Sequence, residues 1–460
     1  MLVRFVAENV FSFGERKEFN MIANSRLKSQ LHHKHPMHGI DLLKQTAVYG
    51  ANAAGKSNLI KALGMLLDLA KKTVNASAVA RSKFKFAQNN EQQLLAVEFV
   101  EQGKPFYYAV LLRSGMIVTE ELYHSGLGAK QDRLIFERNT TPGHITTLKF
   151  NEQLEKDPKS EIIKEVLIDE FILPDQTAFQ LLSHRGHEGF QDLKLAYEWF
   201  ENSVTIIKPQ TRPLLLTQVV EENEELKLFI EKVASIIGLG TASLKILKRP
   251  LSELKGGMQL GEADYIHDRL NALYEKNEKA LPVGLSNVTD RILFVKENEE
   301  VWAKQLLVVH RNGHGQEVDF ELKDESDGTN RLFDIILAFY SLIKLPVVVL
   351  IDEVEHSIHP LLIKKLLQKF SDDGAIKGQL IFTTHESVLL DQGLFRQDEI
   401  WFAEKDQGGN TDLYSLSDFK EHKTIDIRKG YLNGRYGGIP FVGDLNELNW
   451  HQYDIEEQAV

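Results

Sequence analysis

The chain has 460 residues, 43% hydrophobic and 26% charged, with 54 Lys and Arg against 66 Asp and Glu for a net charge of −12. Size alone allows roughly two to four domains of about 100–200 residues each. Cys is absent, which excludes disulfides and thiolate metal sites, and a surface of this sign repels nucleic acid unless a local basic patch intervenes.

The opening "MLVRFVAENVFSFGERKEF" is interrupted by Arg4, Glu8, Glu15 and Arg16, so it does not read as a signal peptide. The longest uncharged apolar run, 346–351, falls far short of the ~20 residues that span a bilayer. A soluble, cytoplasmic protein with no membrane partner is expected. The first 20 residues alternate as a strand, a turn at Phe13-Gly14-Glu15 and a second strand. Residues 31–40, which carry His32, His33, His35 and His38, read as a loop. No carboxylate or Cys completes a ligand set there, so a metal is not expected. A strand at 45–49 precedes an amphipathic helix from Ser57 to about Thr73, with Leu59/Ile60, Leu63, Leu66/Leu67 and Ala70 at three- and four-residue steps.

Five short β runs between 94 and 150 predict an antiparallel meander. From 152 to 285 the pattern is mainly helical, and the acidic run 221–225 opens one helix, where carboxylates favour the N-terminus. "HRGHE" (184–188) matches no zinc-binding helix motif and reads as a helix end or loop. A hairpin follows at 301–310 and 316–322. After 325 the chain alternates helix, buried strand, helix, buried strand, the pattern of an α/β sheet with helices on its faces. The divisions expected are an N-terminal part at 1–150, a mainly helical insertion at 151–295 and a C-terminal part at 296–460.

Gly50-Ala51-Asn52-Ala53-Ala54-Gly55-Lys56-Ser57 matches G-x-x-x-x-G-K-[ST], between an apolar strand and a helix. The loop N–H groups and the helix N-terminus then face an anion. Gly50, Asn52, Ala54, Gly55, Lys56, Ser57 and Asn58 are the candidate phosphate-binding residues. Lys56 reaches the β- and γ-phosphates and Ser57 holds Mg²⁺. "VVVLIDE" supplies the acids such a loop needs: Asp352 for Mg²⁺, through water, and Glu353 as general base for the attacking water. His385 follows the second apolar strand, "LIFTT", where a γ-phosphate sensor belongs.

In this order the residues resemble the ABC-type ATPases of the OLD, RecF and SMC group. Ser326, Gly328 and the helix after them resemble the signature motif in its divergent form. "EVEHSIHP" (353–360) resembles the D-loop region, "TTHE" the switch histidine, and "VRFVAENVFSF" the strand pair "I-x-N-F-x-S-F". "LLKQTAVYGANAAGKSNLIKAL" and "YLNGRYGGIPFV" (431–442) resemble a prokaryotic subgroup known as AAA family ATPases or ATP-binding proteins. Glu325 and Asp327 stand where transporter cassettes carry Leu and Gly. Gln88 and Gln180 are the two candidates for the Gln-loop.

The resemblance implies an α/β, ABC-type P-loop cassette: a mixed sheet with helices, an antiparallel β meander and a mainly helical insertion. It implies ATP and Mg²⁺ as cofactors and a homodimer, or a higher oligomer, that sandwiches ATP. Ser326 and Gly328 then act in trans, and Asp352, Glu353 and His385 in cis. OLD nucleases add a Toprim domain after the cassette, and no Toprim metal site is found here. The expected role is an ATPase switch subunit controlling a separately encoded nuclease or toxin effector in phage defence, as in the AriA-like ATPases of PARIS-type systems. DNA or a phage component stays open as a further partner. The alternative is a RecF- or SMC-like DNA repair ATPase that binds DNA directly, with basic candidates at 244–255 and 70–85. A transporter cassette fits the long insertion poorly, and an ATP-gated scaffold without turnover is the remaining class. Arg435 either touches a neighbouring subunit or the nucleotide, or belongs to a tight turn.

Overall fold

The computed structural model describes residues 1–37, 39–87, 91–210, 216–254, 261–274, 280–284, 291–297, 300–419 and 425–439. A seven-stranded antiparallel sheet runs from Thr146–Phe150 through Arg133–Thr140, Met116–His124, Lys104–Arg113, Gln92–Glu101 and Leu2–Glu8 to Lys17–Asn20. The meander between 94 and 150 thus forms as expected, and the N-terminal strand pair extends it, with Phe5 opposite both Val97 and Phe19.

A second, six-stranded sheet has the order Val204–Ile207, Val348–Ile351, Gln379–Thr384, Gln45–Tyr49, Ile400–Lys405, Thr411–Ser415. Its first five strands are parallel and the last is an antiparallel edge. Successive side chains on a strand point to opposite faces, and both faces here are covered, which is why these strands read as unbroken apolar runs. Val48, Leu350 and Ile381 join one core with Leu59, Leu63 and Leu66 of the helix Lys56–Ala70 and with Val97 and Tyr108 of the antiparallel sheet. Tyr49, Ile351 and Phe382 join the other, with Leu332, Ile335 and Phe339 of the helix Asp327–Lys344 and Ile363 and Leu367 of the helix Pro360–Ser371.

A third sheet pairs Glu300–Arg311 with Thr241–Pro250, Arg291–Glu297 and Glu317–Glu321, and Ala280–Gly284 with Arg291–Glu297, all antiparallel. The segment read as mainly helical therefore holds helices such as Gln191–Asn202 and Glu224–Ile236 together with strands at Val204–Ile207, Thr241–Pro250, Ala280–Gly284 and Arg291–Glu297. In Thr241–Pro250 the alternating residues Leu244 and Ile246 pack on Leu306 and Val308. Its basic residues are paired: Lys245 with Asp319 at 2.7 Å, Lys248 with Glu297 at 2.5 Å, and Arg249 with Glu321 at 3.9 Å. Among its described residues, the first candidate basic patch is a strand whose charges meet acids across the sheet.

Residues 31–40 are also more ordered than a loop, since Lys34–Met37 and Ile40–Leu43 pair antiparallel. His33 is buried and its Nδ1 lies 2.9 Å from Glu399. Burial raises the Glu399 carboxyl above its ordinary range, and His33 opposes that rise. His38 lies outside the described residues. Among the described residues, no helix is long and apolar enough to cross a membrane.

Candidate functional site

The strand order brings three carboxyl ends side by side, those of Val348–Ile351, Gln379–Thr384 and Gln45–Tyr49. Open parallel sheets bind ligands at such ends. The loop after Gln45–Tyr49 runs from Gly50 into the helix Lys56–Ala70. Gly55, at its N-cap, has φ 108, a left-handed value that glycine adopts without strain. A Cβ on Gly55 would lie 2.1 Å from Thr411 Oγ1. Thr411 donates to Ala54 O at 2.9 Å and sits 2.7 Å from Ser12 Oγ, which also accepts from Asn58 Nδ2 at 2.8 Å. The N-terminal turn and the far edge strand thus grip the loop from behind.

Lys56 is buried, and its Nζ donates to Gly50 O at 2.7 Å, Ala51 O at 2.9 Å and His385 Nδ1 at 3.0 Å. Desolvation lowers the Lys56 pKa, while the nearby Glu355, Glu353 and Asp352 carboxylates oppose the fall. With Nδ1 accepting from Lys56, the His385 proton belongs on Nε2, which lies 3.8 Å from Glu353 Oε1.

Ser57 Oγ donates to Asp352 Oδ1 at 3.0 Å, and Thr383 Oγ1 donates to the same oxygen at 2.6 Å. Thr383 Oγ1 also accepts the Glu353 N–H at 2.8 Å. This bond holds Glu353 in a left-handed conformation, φ 50, which costs a non-glycine residue about 1 kcal/mol or more. A hydroxyl and a carboxylate oxygen in contact are a donor set that suits a hard cation such as Mg²⁺. Gly55, Lys56, Ser57, Asn52, Ala54, Asn58, Glu353 and His385 line one cavity of about 650 Å³, with Lys61 and Lys405 at its wall.

The two signature candidates stand elsewhere. Ser326 caps the helix Asp327–Lys344, its Oγ accepting the Thr329 N–H at 3.0 Å, and neither it nor Gly328 lines that cavity. Gly328 is needed for close approach: a Cβ there would sit 2.6 Å from Ser357 O in the D-loop region. Gln180 lies on the short helix Phe179–Ser183, also away from the cavity, and Gln88 is outside the described residues.

Several residues of the site escaped the sequence reading. Thr383 is one. Arg331 is buried in the helix Asp327–Lys344 and donates to Lys208 O at 2.8 Å and Asp352 O at 2.9 Å, tying that helix to the acidic strand end. Glu355 Oε1 accepts the His385 N–H at 2.7 Å, while its other oxygen is buried without a hydrogen-bond partner among the described residues. A third carboxylate two residues after the acid pair was the available signal, but its partner lies 30 residues away.

The described part of "RYGGIPFV" is a turn packed behind the loop, and residues 440–442 lie outside the described residues. Tyr436 is buried and stacks on Phe402 at 5.8 Å, and Tyr431 donates to Gly438 O at 3.0 Å. A Cβ on Gly438 would lie 3.7 Å from Gly50 Cα. Arg435 is exposed, 5.9 Å from the neighbouring Tyr436 ring, and belongs to this turn. Part of the second basic candidate sits beside the loop: Arg81, Lys83 and Lys85 share a cleft of about 400 Å³ with Phe11, Phe84 and Asn58. Asn58 and Lys405 line both that cleft and the main cavity.

A family model described as "AAA domain, putative AbiEii toxin, Type IV TA system" matches residues 46–171 and 237–391. No curated protein matches the chain. Among solved structures the chain is similar to an Smc head bound to the C-terminal winged-helix domain of ScpA, at 12% identity and TM-score 0.42, covering 90% of this chain and 97% of that one. It is also similar to the SMC head domain of Thermotoga maritima, at 12% identity and TM-score 0.36, with 90% and 98% covered. The Pyrococcus furiosus Smc head with an extended coiled coil gives 14% identity and TM-score 0.35, with 94% and 98% covered.

Proposed function

The chain belongs to the AAA-domain family whose model spans most of its length, and on that premise we propose that it is an ATP-driven switch subunit completed by a second copy of itself. ATP binding and hydrolysis come with the family. The finer reading rests chiefly on one observation: the cavity gathers Lys56, Ser57, Glu353 and His385, while Ser326 and Gly328 stand outside it. A signature helix that cannot serve its own phosphates is free to serve those of a partner copy.

In this reading Lys56 and the loop N–H groups bind the β- and γ-phosphates, and Ser57 and Asp352 hold Mg²⁺, which would neutralise charge on the phosphates. Glu353 accepts the proton of the attacking water, and His385, set by Lys56 and Glu355, donates from Nε2 to the γ-phosphate. Ser326 and the helix N-terminus beside it meet that phosphate from the other protomer. Closure then travels through Gly328, Ser357 and Glu355, one packed path between signature and switch histidine. The acidic net charge and the paired strand 241–250 favour a protein effector over direct DNA binding, and the family's description as a putative toxin of a type IV toxin–antitoxin system is the support for reading the role as phage defence.

A mixing experiment tests it. Lys56→Ala removes the phosphate ligand, and Ser326→Asp keeps a good helix cap while setting a carboxylate against the incoming phosphate. Each variant alone is expected to be inactive. An equimolar mixture regains about a quarter of wild-type turnover, because half the dimers carry one intact site. A mixture as inactive as its parts refutes the shared site.

A further inference from the structure

A second cavity, of about 980 Å³, lies between the helices Glu224–Ile236, Asp327–Lys344 and Pro360–Ser371. It belongs to neither the nucleotide site nor its neighbouring cleft. Ile336, Phe339 and Ile343 form the floor, at the i, i+3, i+7 positions of one helix face. Val233 and Ile236 line one wall, Leu362 and Leu366 the other. Two large apolar side chains stand open at its edge, Ile236 at 75% and Leu361 at 59% exposure. Apolar clefts between helices are where ligands and partner helices bind.

Its rims carry mainly positive charge. Lys232 stands on one wall and Lys365 and Lys369 on the opposite wall, all three exposed. None of them forms an ion pair with a described residue. Asp373 is the one carboxylate among the lining residues. Three lysines along both lips against one carboxylate are unusual on a chain whose net charge is −12. Apolar floor and basic lips together are complementary to an amphipathic helix with acidic residues on both flanks of its apolar stripe.

We propose that this groove docks such a helix from a partner protein. The proposal rests on the two-component reading above and names the chemistry of the effector's contact. His359 lines the groove and its side chain caps the helix Pro360–Ser371 by accepting the Leu361 N–H at 3.2 Å. His359 closes the segment that begins at Glu353 and includes Glu355 and Ser357. A docked helix therefore bears on the same segment that holds the switch histidine and meets the signature glycine.

The test uses the full chain and a fluorescent synthetic helix of about 18 residues, five turns, with Leu at i, i+3, i+7 spacing and Glu on both flanks. Anisotropy is read without nucleotide. The acidic helix is expected to bind at least tenfold more tightly than its Lys-flanked counterpart. The double variant Lys365→Glu/Lys369→Glu should invert that ranking and leave basal ATP turnover unchanged. Equal binding of both helices, or of neither, overturns the proposal. So does binding that appears only after residues 440–460 are removed, which would make the chain's own acidic end the occupant. A nucleotide-free dimer broken by Ile236→Asp would make a second copy the occupant and overturn it equally. The inversion is read without ATP, so it stands or falls separately from the mixing experiment.

Discussion

Thr383→Val is the sharpest probe of the site, because it changes one hydroxyl to a methyl of the same shape. The hydroxyl makes two bonds, a donation to Asp352 at 2.6 Å and an acceptance from the Glu353 N–H at 2.8 Å. A hydrogen bond to a charged group contributes about 1.5–3 kcal/mol, and a buried N–H left without an acceptor costs about 1–3 kcal/mol. Part of the second cost is relieved if Glu353 leaves its left-handed conformation, which would move its carboxylate away from His385. A net loss of about 2–3 kcal/mol at the reacting geometry corresponds to a fall in kcat of roughly 30- to 150-fold. Nucleotide affinity should change little, since Lys56 and the loop are untouched. The assay is steady-state phosphate release, with ADP affinity followed by fluorescence and Thr383→Ser as the control that keeps the hydroxyl. Turnover within twofold of wild type in Thr383→Val, or equal losses in both variants, would refute Thr383 as the strut that sets both acids.

On the shared-site reading, Gly328→Ala should abolish turnover while each chain still binds ATP, because a Cβ 2.6 Å from Ser357 O displaces the segment 353–360; equilibrium dialysis and phosphate release separate the two. Gly437→Ala places a Cβ 2.4 Å from Glu404 Oε2 at a residue with φ 66, so unfolding should begin about 1–3 °C lower, with ADP affinity reduced as the turn behind Gly50 shifts. Calorimetry with and without ADP reads both. His35 is held mainly by burial at a pKa of about 4, below its ordinary 6.5. Its neutral form is favoured in the fold, so its contribution is present above pH 6.5 and lost as pH falls toward 4. Partial exposure reduces the effect to about 1 kcal/mol between pH 7 and 5, and His35→Gln should flatten the urea-midpoint profile over that interval.

What the sequence made legible was whatever is local. The phosphate loop, its helix and the acid pair each occupy fewer than twenty consecutive residues, so spacing and periodicity expose them. The antiparallel meander was equally readable, because its strands pair with sequence neighbours. Thr383, Glu355 and Arg331 were not, because each acts through a partner that only the tertiary fold supplies. Val204–Ile207 was missed for a related reason: four residues carry too little pattern, and its status as a strand comes from pairing with Val348–Ile351. In the basic run at 244–255 the informative signal is its period of two, which makes residues 241–250 a strand, rather than its charge.

The strand order of the parallel sheet also dictates when the site can come into being. Leu2–Glu8 finds its partners before residue 150 is made. Gln45–Tyr49, which launches the phosphate loop, must wait for Gln379–Thr384 on one side and Ile400–Lys405 on the other. At about 5–20 residues per second of synthesis, that wait of roughly 350 residues lasts some 20–70 s. Throughout it the nascent chain carries an apolar strand with both edges open, the form most prone to pairing with the wrong neighbour. An interrupted product would thus be an aggregating fragment with a complete phosphate-loop sequence and no nucleotide site, so the site exists only once the strands at 379–405 have been made.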